Sequence, residues 1–400
     1  MRPLRPALFL LAAAARLAAA DAAAVAPPPD PLDAAIRPLL GDRVEEVEIV
    51  RGERFAAGAA AWLGRAARLA EDIGAPAEDV RALALLPGAL RRAGLLAVAG
   101  IGRGEWTPGD GSSFATTVWY EGGSTNPTLP GLLATAPEPV LAAASPYAHS
   151  LADELPAGSV LGWTSSLDPR EWWRLARALL PEVAPARAAA LDAALARARD
   201  GLGVDAEAVV SSLRPGVLFA LAVDTNRTVS LPGRAEPLPA PGALLAVHAA
   251  DGTAFRALER LLPALGVAVK PDEYGIAHCL DIVLPTNAPA WLAPRIEWLP
   301  DDGLLLAQSH PAIVGGGNLV SAHNDAFWDY ARPLGAAGDL AFVSPAFDRL
   351  AAQLLGTATN APADAWYVSR TVRLPGRGVL RRSRAALPPG SALGMLLAFP

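Results

Sequence analysis

Few side chains in this 400-residue chain can carry acid–base, nucleophilic or metal chemistry, so their spacing decides how each is read. There are five histidines, His149, His248, His278, His310 and His323. None stands in an HExxH or other paired spacing that would hold a zinc ion. The single cysteine, Cys279, excludes a disulfide framework and any CxxC redox or zinc site. It can act as a nucleophile only if a distant base such as His248 reaches it, and nothing adjacent in sequence lowers its pKa. Lys270, the single lysine, lies in a Val-Lys-Pro-Asp context that reads as a solvent-facing turn, with no GK[ST] or SxxK around it. Gly100, Gly102 and Gly104 resemble a dinucleotide loop, but Glu105 stands where the third glycine belongs and Trp106-Thr107-Pro108 is no helix start. They read as a flexible strand end. Gly315-Gly316-Gly317 after His310 is reminiscent of an esterase oxyanion loop, yet no GxSxG nucleophile elbow exists. Asn226-Arg227-Thr228 matches a glycosylation sequon. The sequence therefore calls for no cofactor and no metal.

The elements that must position these residues follow from periodicity. Apolar positions from Phe55 to Ala70 recur at helical spacing, and residues 79–86 form a second short helix. Residues 95–106 and 113–120 are strands around a Pro108-Gly109-Asp110-Gly111 turn, which predicts a hairpin. A weak repeat follows. Strand 158–167 leads through Asp168-Pro169 into a helix; strand 242–250 leads through Asp251-Gly252-Thr253 into another; strand 339–343 leads through Ser344-Pro345 into a third. Asp and Ser accept hydrogen bonds from the first free N–H groups of a helix, and Pro has no N–H to leave unpaired there. Strands 217–223, 274–284, 291–298, 304–308, 366–374 and 378–384 follow these helices, with Asp301-Asp302-Gly303 as a hairpin turn.

This order predicts an α+β fold: repeated β-α-β-β units forming mostly antiparallel sheets with helices packed on one face. A doubly wound parallel sheet is the alternative, and the runs of consecutive strands count against it. On strand 274–284, alternation places Tyr274, Ile276, His278, Leu280 and Ile282 on one face, which makes His278 a hydrogen-bonded core histidine. Cys279 and Asp281 share the other face. Trp172 and Trp173 open a helix whose apolar positions form a wide core stripe, with Trp173 at its edge as a possible sugar platform.

The first twenty residues read as an export signal. Arg2 and Arg5 precede an apolar run over residues 7–15, too short to span a bilayer, and Ala18-Ala19-Ala20 is a cleavage site. A second such site ends at Ala24, so cleavage is expected near Ala20 or Ala24. Residues 21–33, rich in Ala and Pro, read as an extended linker. The expected organisation is a signal peptide over 1–20, a linker over 21–33, an N-terminal α+β domain over 34–150, a first β-α-β unit over 151–235, a second β-α-β-β unit over 236–330 and a third over 331–400. The C-terminal SALGMLLAFP reads as a final strand and is too short to cross a membrane. The chain is 52% hydrophobic, but much of that is alanine, and the formal charge of −6 offers nucleic acid no basic footprint.

The stretch from about Leu95 to Arg384 resembles an uncharacterised family of exported bacterial proteins, described as a domain of unknown function. The likeness is carried by GLLATAPEPV, LADELPAGSVLGWTSSLDPREWW, LGVDAEAVVSSLRPGVLFALAVD, PDDGLLLAQSHPAI and DLAFVSPAFDRLAAQLL. It departs at Leu213-Arg214-Pro215-Gly216, where paired glycines are common in that family. The resemblance implies an exported α+β protein and assigns no activity or site residue.

Two function classes remain. The first is a non-catalytic periplasmic or secreted envelope protein that binds an unknown protein or envelope ligand, with no membrane span in the mature chain. The alternative is a periplasmic hydrolase without a recognisable motif, using Ser or Cys279 with His248 or His278 and Asp251 or Asp281. A sugar or peptidoglycan binder using exposed tryptophans is a variant of the first.

Overall fold

The computed structural model describes residues 30–108, 112–124, 128–133, 151, 155–156, 158–230, 237–274, 277–289, 291–310, 327, 330–334, 338–347, 350, 366–374 and 376–385. The export signal, His149, His323, Gly315–Gly317 and the C-terminal strand expected over 391–400 lie outside these residues. The chain divides into two compact units. One comprises Met1–Gly131, Asp348–Tyr367 and Leu374–Pro400; the other comprises Leu132–Phe347 and Val368–Arg373.

The first unit holds α1 (Pro31–Leu40), β1 (Glu46–Arg51), α2 (Gly52–Asp72), α3 (Ala77–Arg92), β2 (Gly100–Trp106) and β3 (Ser113–Tyr120). Its last strand comes from the far end of the chain, and the sheet order is β1, β2, β3 and then residues 378–385, all antiparallel. The expected hairpin of β2 and β3 is present, although residues 95–99 precede the strand as turn and coil. The linker expectation is corrected at its end. Asp30 caps α1, its carboxylate accepting the Leu32 N–H at 3.1 Å, and Pro31 opens the helix. This is the Asp-Pro signature read correctly elsewhere in the chain; the prolines around it obscured it here.

The helix α1 explains the three glycines of β2. They share one face of the strand, and that face is covered by α1 and the residue run after it. A Cβ on Gly102 would lie 2.1 Å from Ile36 Cγ2, one on Gly100 2.7 Å from Leu32, and one on Gly104 2.6 Å from Val44. Ile36 is fully buried as a result. The glycines are thus the floor of a close helix–sheet contact, not a flexible strand end.

A short helix, α4 (Leu129–Leu133), lies where the chain passes from the first unit to the second, which holds β4 (Ser159–Ser165) and α5 (Pro169–Val183). Asp168 caps α5 by accepting the Arg170 N–H at 3.0 Å. Two helices not read from the sequence follow, α6 (Pro185–Leu202) and α7 (Ala206–Ser212). Asp205 caps α7 through the Glu207 N–H at 3.0 Å. The alanine-rich α6 buries only Ala188 completely, so it carries no apolar stripe to reveal a helical period. Then come β5 (Leu213–Val229), β6 (Leu238–Ala249), α8 (Thr253–Ala264), β7 (Val269–Tyr274), β8 (Ala277–Ile282), β9 (Arg295–Leu299), β10 (Leu304–Gln308), β11 (Asp339–Val343) and β12 (Tyr367–Leu374). Of the strand expected over 274–284, Ala277–Ile282 forms β8; Tyr274 ends β7, the strand that pairs with it, and Lys270 sits exposed within β7 instead of in a turn. The helix expected after Ser344-Pro345 begins at 345–347, and most of it lies outside the described residues. Ser344 does not cap it through its side chain: its buried Oγ has no hydrogen-bond partner among the described residues.

The sheet order in this unit is β12-β11-β4-β5-β6-β10-β9-β8-β7. Its ladders with defined register are antiparallel, so the doubly wound alternative does not apply. The alternation of burial from Leu238 to Val247 of β6 gives the sheet two distinct faces, with Leu238, Ala240, Leu244 and Ala246 buried and Leu245 43% exposed. On one side α8 inserts Phe255 against Leu280, Ile296 and Trp298, with Leu258 and Leu262 flanking. On the other, Leu218, Ala220 and Leu306 are buried, and Phe342 meets Phe327 edge-on at 5.2 Å between ring centres.

Candidate functional site

A polar arrangement opening to solvent is built by an irregularity in β5. β5 and β6 pair regularly from Val217 opposite Val247 to Asp224 opposite Ala240. β5 then advances to Thr228 while β6 moves only to Pro239. The surplus residues bulge out of the ladder, and Arg227 is one of them. Opposite the bulge, the end of β10 is tied to β6: the Ala243 N–H donates to Ser309 Oγ at 2.9 Å and the Ser309 N–H to the Ala243 carbonyl at 3.0 Å. Ser309 also accepts the Ala293 N–H through its carbonyl at 3.0 Å, which brings in the loop of Trp291.

The outcome is a shallow, solvent-open hollow lined by Asp224, Arg227, Ala240, Pro241, Gly242, Trp291 and His310. Arg227 Nε lies 3.5 Å from an Asp224 carboxylate oxygen, and its Nη1 meets His310 Nε2. Burial and the Arg227 charge hold the His310 imidazole below its usual pKa, opposed in part by Asp224. The Trp291 indole Nε1 is buried and has no hydrogen-bond partner among the described residues. Among the described residues that line it there is no Ser, Thr, Cys or Lys.

The residues singled out for hydrolytic chemistry are not brought together. Cys279 is 2% exposed, and burial first, then the Glu297 carboxylate, push its thiol up. His248 lies on β6 and Cys279 on β8, with β10 and β9 between them. Three strand spacings put their backbones roughly 14 Å apart. His248 is packed against Gly216, where an added Cβ would sit 2.5 Å from the ring, and burial lowers its pKa. Asp281 is spent on Arg295, at 2.6 and 3.2 Å, and raises that guanidinium's pKa. Asp251 accepts the Thr253 N–H at 2.7 Å, capping α8 from one residue further out than expected because Gly252 takes the cap position itself.

Two aromatic readings and one histidine are corrected. His278 is exposed, with its ring 6.2 Å from Phe255, although Leu280 on the same face is fully buried. It stands one residue into β8, where the hairpin end leaves the core, so alternation alone misplaces it. No residue of α5 is fully buried, and Trp172 and Trp173 are half-covered. Trp172 Nε1 donates to the Leu132 carbonyl at 3.3 Å; Trp173 Nε1 donates to Glu207 at 2.8 Å with Arg177 over its ring. Trp173 is thus tied to α7 and is not a free platform.

A second polar cluster was not legible in the sequence. Asp339 opens β11 and accepts the Ser166 N–H at 2.9 Å, with the hydroxyls of Ser166 and Ser165 also bonded to it. Arg370, 8% exposed on β12, donates to the Gly338 carbonyl at 3.2 Å. Burial outweighs these hydrogen bonds and the Arg370 charge, and raises the Asp339 pKa to about 7. Only the pairing of distant segments creates this site. Among the described residues no group of three or more His, Cys, Asp or Glu could hold a metal ion, and no helix is long and apolar enough to cross a membrane. In comparison with known proteins, the chain matches no family model, no curated relative and no solved structure.

Proposed function

We propose that this chain is an exported, non-catalytic protein of the bacterial cell envelope that binds a ligand or partner, as a member of the family it resembles. The observation that carries the binding reading is the hollow at Arg227, His310 and Trp291. It gathers a guanidinium, a carboxylate and an imidazole on one solvent-open face, and its described lining residues include no Ser, Thr, Cys or Lys. Covalent acyl transfer needs a nucleophile within hydrogen-bond reach of its base, and the described lining offers no hydroxyl or thiol for that role. Export is supported by the order of charged, apolar and small residues over 1–20.

The hydrolase alternative is disfavoured by the burial of Cys279 and its distance from His248. The test is recovery of the mature protein from the envelope fraction of its host, followed by native mass spectrometry and N-terminal sequencing. The expected result is a start near residue 21 or 25 and a bound ligand or cross-linked partner. Covalent labelling of the folded protein by a serine- or thiol-directed activity probe would overturn the reading.

A further inference from the structure

We propose that the open face of α2 is a self-association surface, on which a second copy of this chain lays the same helix antiparallel about a two-fold axis level with Gly64. α2 carries two apolar rows about 100° apart around the helix. One, Ala56, Ala60, Leu63, Ala67 and Ala70, holds the two side chains that the helix buries, Leu63 and Ala67. The other is Phe55, Ala59, Trp62, Ala66, Leu69 and Ile73, the last being the residue that ends the helix. Its spacing alternates between four and three residues throughout, the seam of a helix that pairs with another helix. The large members of this seam are open: Trp62 and Leu69 are each 42% exposed and Ile73 75%. Large apolar side chains scattered singly over a surface need no explanation, but three in one line do. α3 packs chiefly on α2, so this helical hairpin buries one apolar row and leaves the other uncovered.

The seam is complementary to itself. In the antiparallel pair Trp62 lies opposite the partner's Ala66, Leu69 opposite the partner's Ala59, and Phe55 opposite the partner's Ile73. Large side chains thus meet alanines in the middle of the contact, as close packing requires. A parallel pair would set Trp62 against its own copy and Ala66 against its own copy, alternating crowded and empty layers. Charge selects the same direction. Arg54 and Asp72 are exposed on one flank of the seam, at opposite ends. The antiparallel pair brings Arg54 of each copy to Asp72 of the other, whereas a parallel pair would align like charges. Arg65, on the same flank, approaches its own copy near the axis and limits the affinity. At roughly 150–250 Å² for a large side chain, the exposed parts of Trp62, Leu69 and Ile73 offer on the order of 300 Å² per copy. With the alanines and flanks the contact reaches toward the low end of specific interfaces, which begin near about 1,200 Å² in total. The dimer is therefore weak and reversible.

The test is sedimentation equilibrium of the full chain over a range of concentrations. The expected result is a rise in mass from monomer toward dimer in the micromolar-to-millimolar range. Trp62→Glu puts a charge into the seam and is expected to weaken association about tenfold or more, with an unchanged thermal midpoint because the position is exposed. Direction is read with a short bis-maleimide, the native Cys279 being buried. Arg65→Cys is expected to cross-link two copies, since the axis brings this position to itself, while Ala57→Cys, exposed on the other side of α2, stays uncoupled. A mass that stays monomeric at every concentration overturns the proposal, whether or not Trp62 then responds to anionic lipid vesicles. Association of Trp62→Glu equal to that of the parent, or cross-linking of Ala57→Cys as complete as that of Arg65→Cys, overturns it as well.

Discussion

Asp339 shows how one residue can tie stability to pH. Its carboxyl titrates near 7 in the folded chain, against 3.8 for the unperturbed group. The pKa is raised, so the folded state holds the proton more tightly than the unfolded state does. The contribution to stability is full below about pH 4 and is lost as pH rises through 7, amounting to a few kcal/mol at most, by order of magnitude. Asp339→Asn keeps an acceptor for the Ser166 N–H and cannot ionise. Its denaturant midpoint is therefore expected to exceed that of the parent at pH 8, with the difference shrinking or reversing at pH 4.5. Equal pH profiles for the two proteins would show that Asp339 is not the group responsible. Cys279 illustrates the opposite limit. Its sealed, raised thiol should react with a disulfide reagent at pH 8 only after denaturant is added; prompt reaction of the native protein would contradict its burial.

At the scale of elements, close approach and capping set where helices can sit. α1 lies so near β2 that side chains at Gly100, Gly102 and Gly104 have no room. Gly102→Ala places a methyl group against Ile36, a β-branched side chain with little freedom to move aside. A loss of about 1–3 kcal/mol is expected from this overpacking, read by thermal or denaturant unfolding. An unchanged midpoint would mean that α1 is not held against this face. Asp168, Asp205 and Asp30 each stand at a helix start with the same carboxylate-to-N–H contact. The Asp168-Pro169 pair is why the helix after β4 could be placed from sequence to within a residue, whereas the same contact at Asp30 and Asp205 was not recognised there.

For the molecule as a whole, the outer strands need protection as much as the core needs packing. β7 ends the sheet of the second unit. It reads Val-Lys-Pro-Asp-Glu-Tyr, with Lys270, Pro271 and Asp272 exposed. Charges and a proline on an edge discourage pairing with another chain, because the charge resists desolvation and the proline removes a donor. Replacing Lys270 and Pro271 together by Val is expected to promote self-association, seen by light scattering as a concentration-dependent rise in mass. A variant that stays at the parent's mass at high concentration would show that the edge needs no such guard.

The sequence by itself determined the α+β class, the order of strand and capped helix, the hairpin at Asp301-Asp302-Gly303 and the antiparallel pairing. These rest on local signals: a cap side chain, a turn glycine, an alternation of period two. Local signals failed where their pattern was erased, as in α6, whose alanines give no stripe, and in His278, whose strand leaves the core at its end. The site lay beyond them entirely. Asp224 and Arg227 are neighbours in sequence, but His310 and Trp291 reach them only because β10 is hydrogen-bonded to β6 and a bulge turns Arg227 outward. The Asp339 and Arg370 cluster likewise needs three segments of the chain to meet. Tertiary structure decided these, since burial and the juxtaposition of distant side chains are properties of the packed sheet and not of any stretch along it.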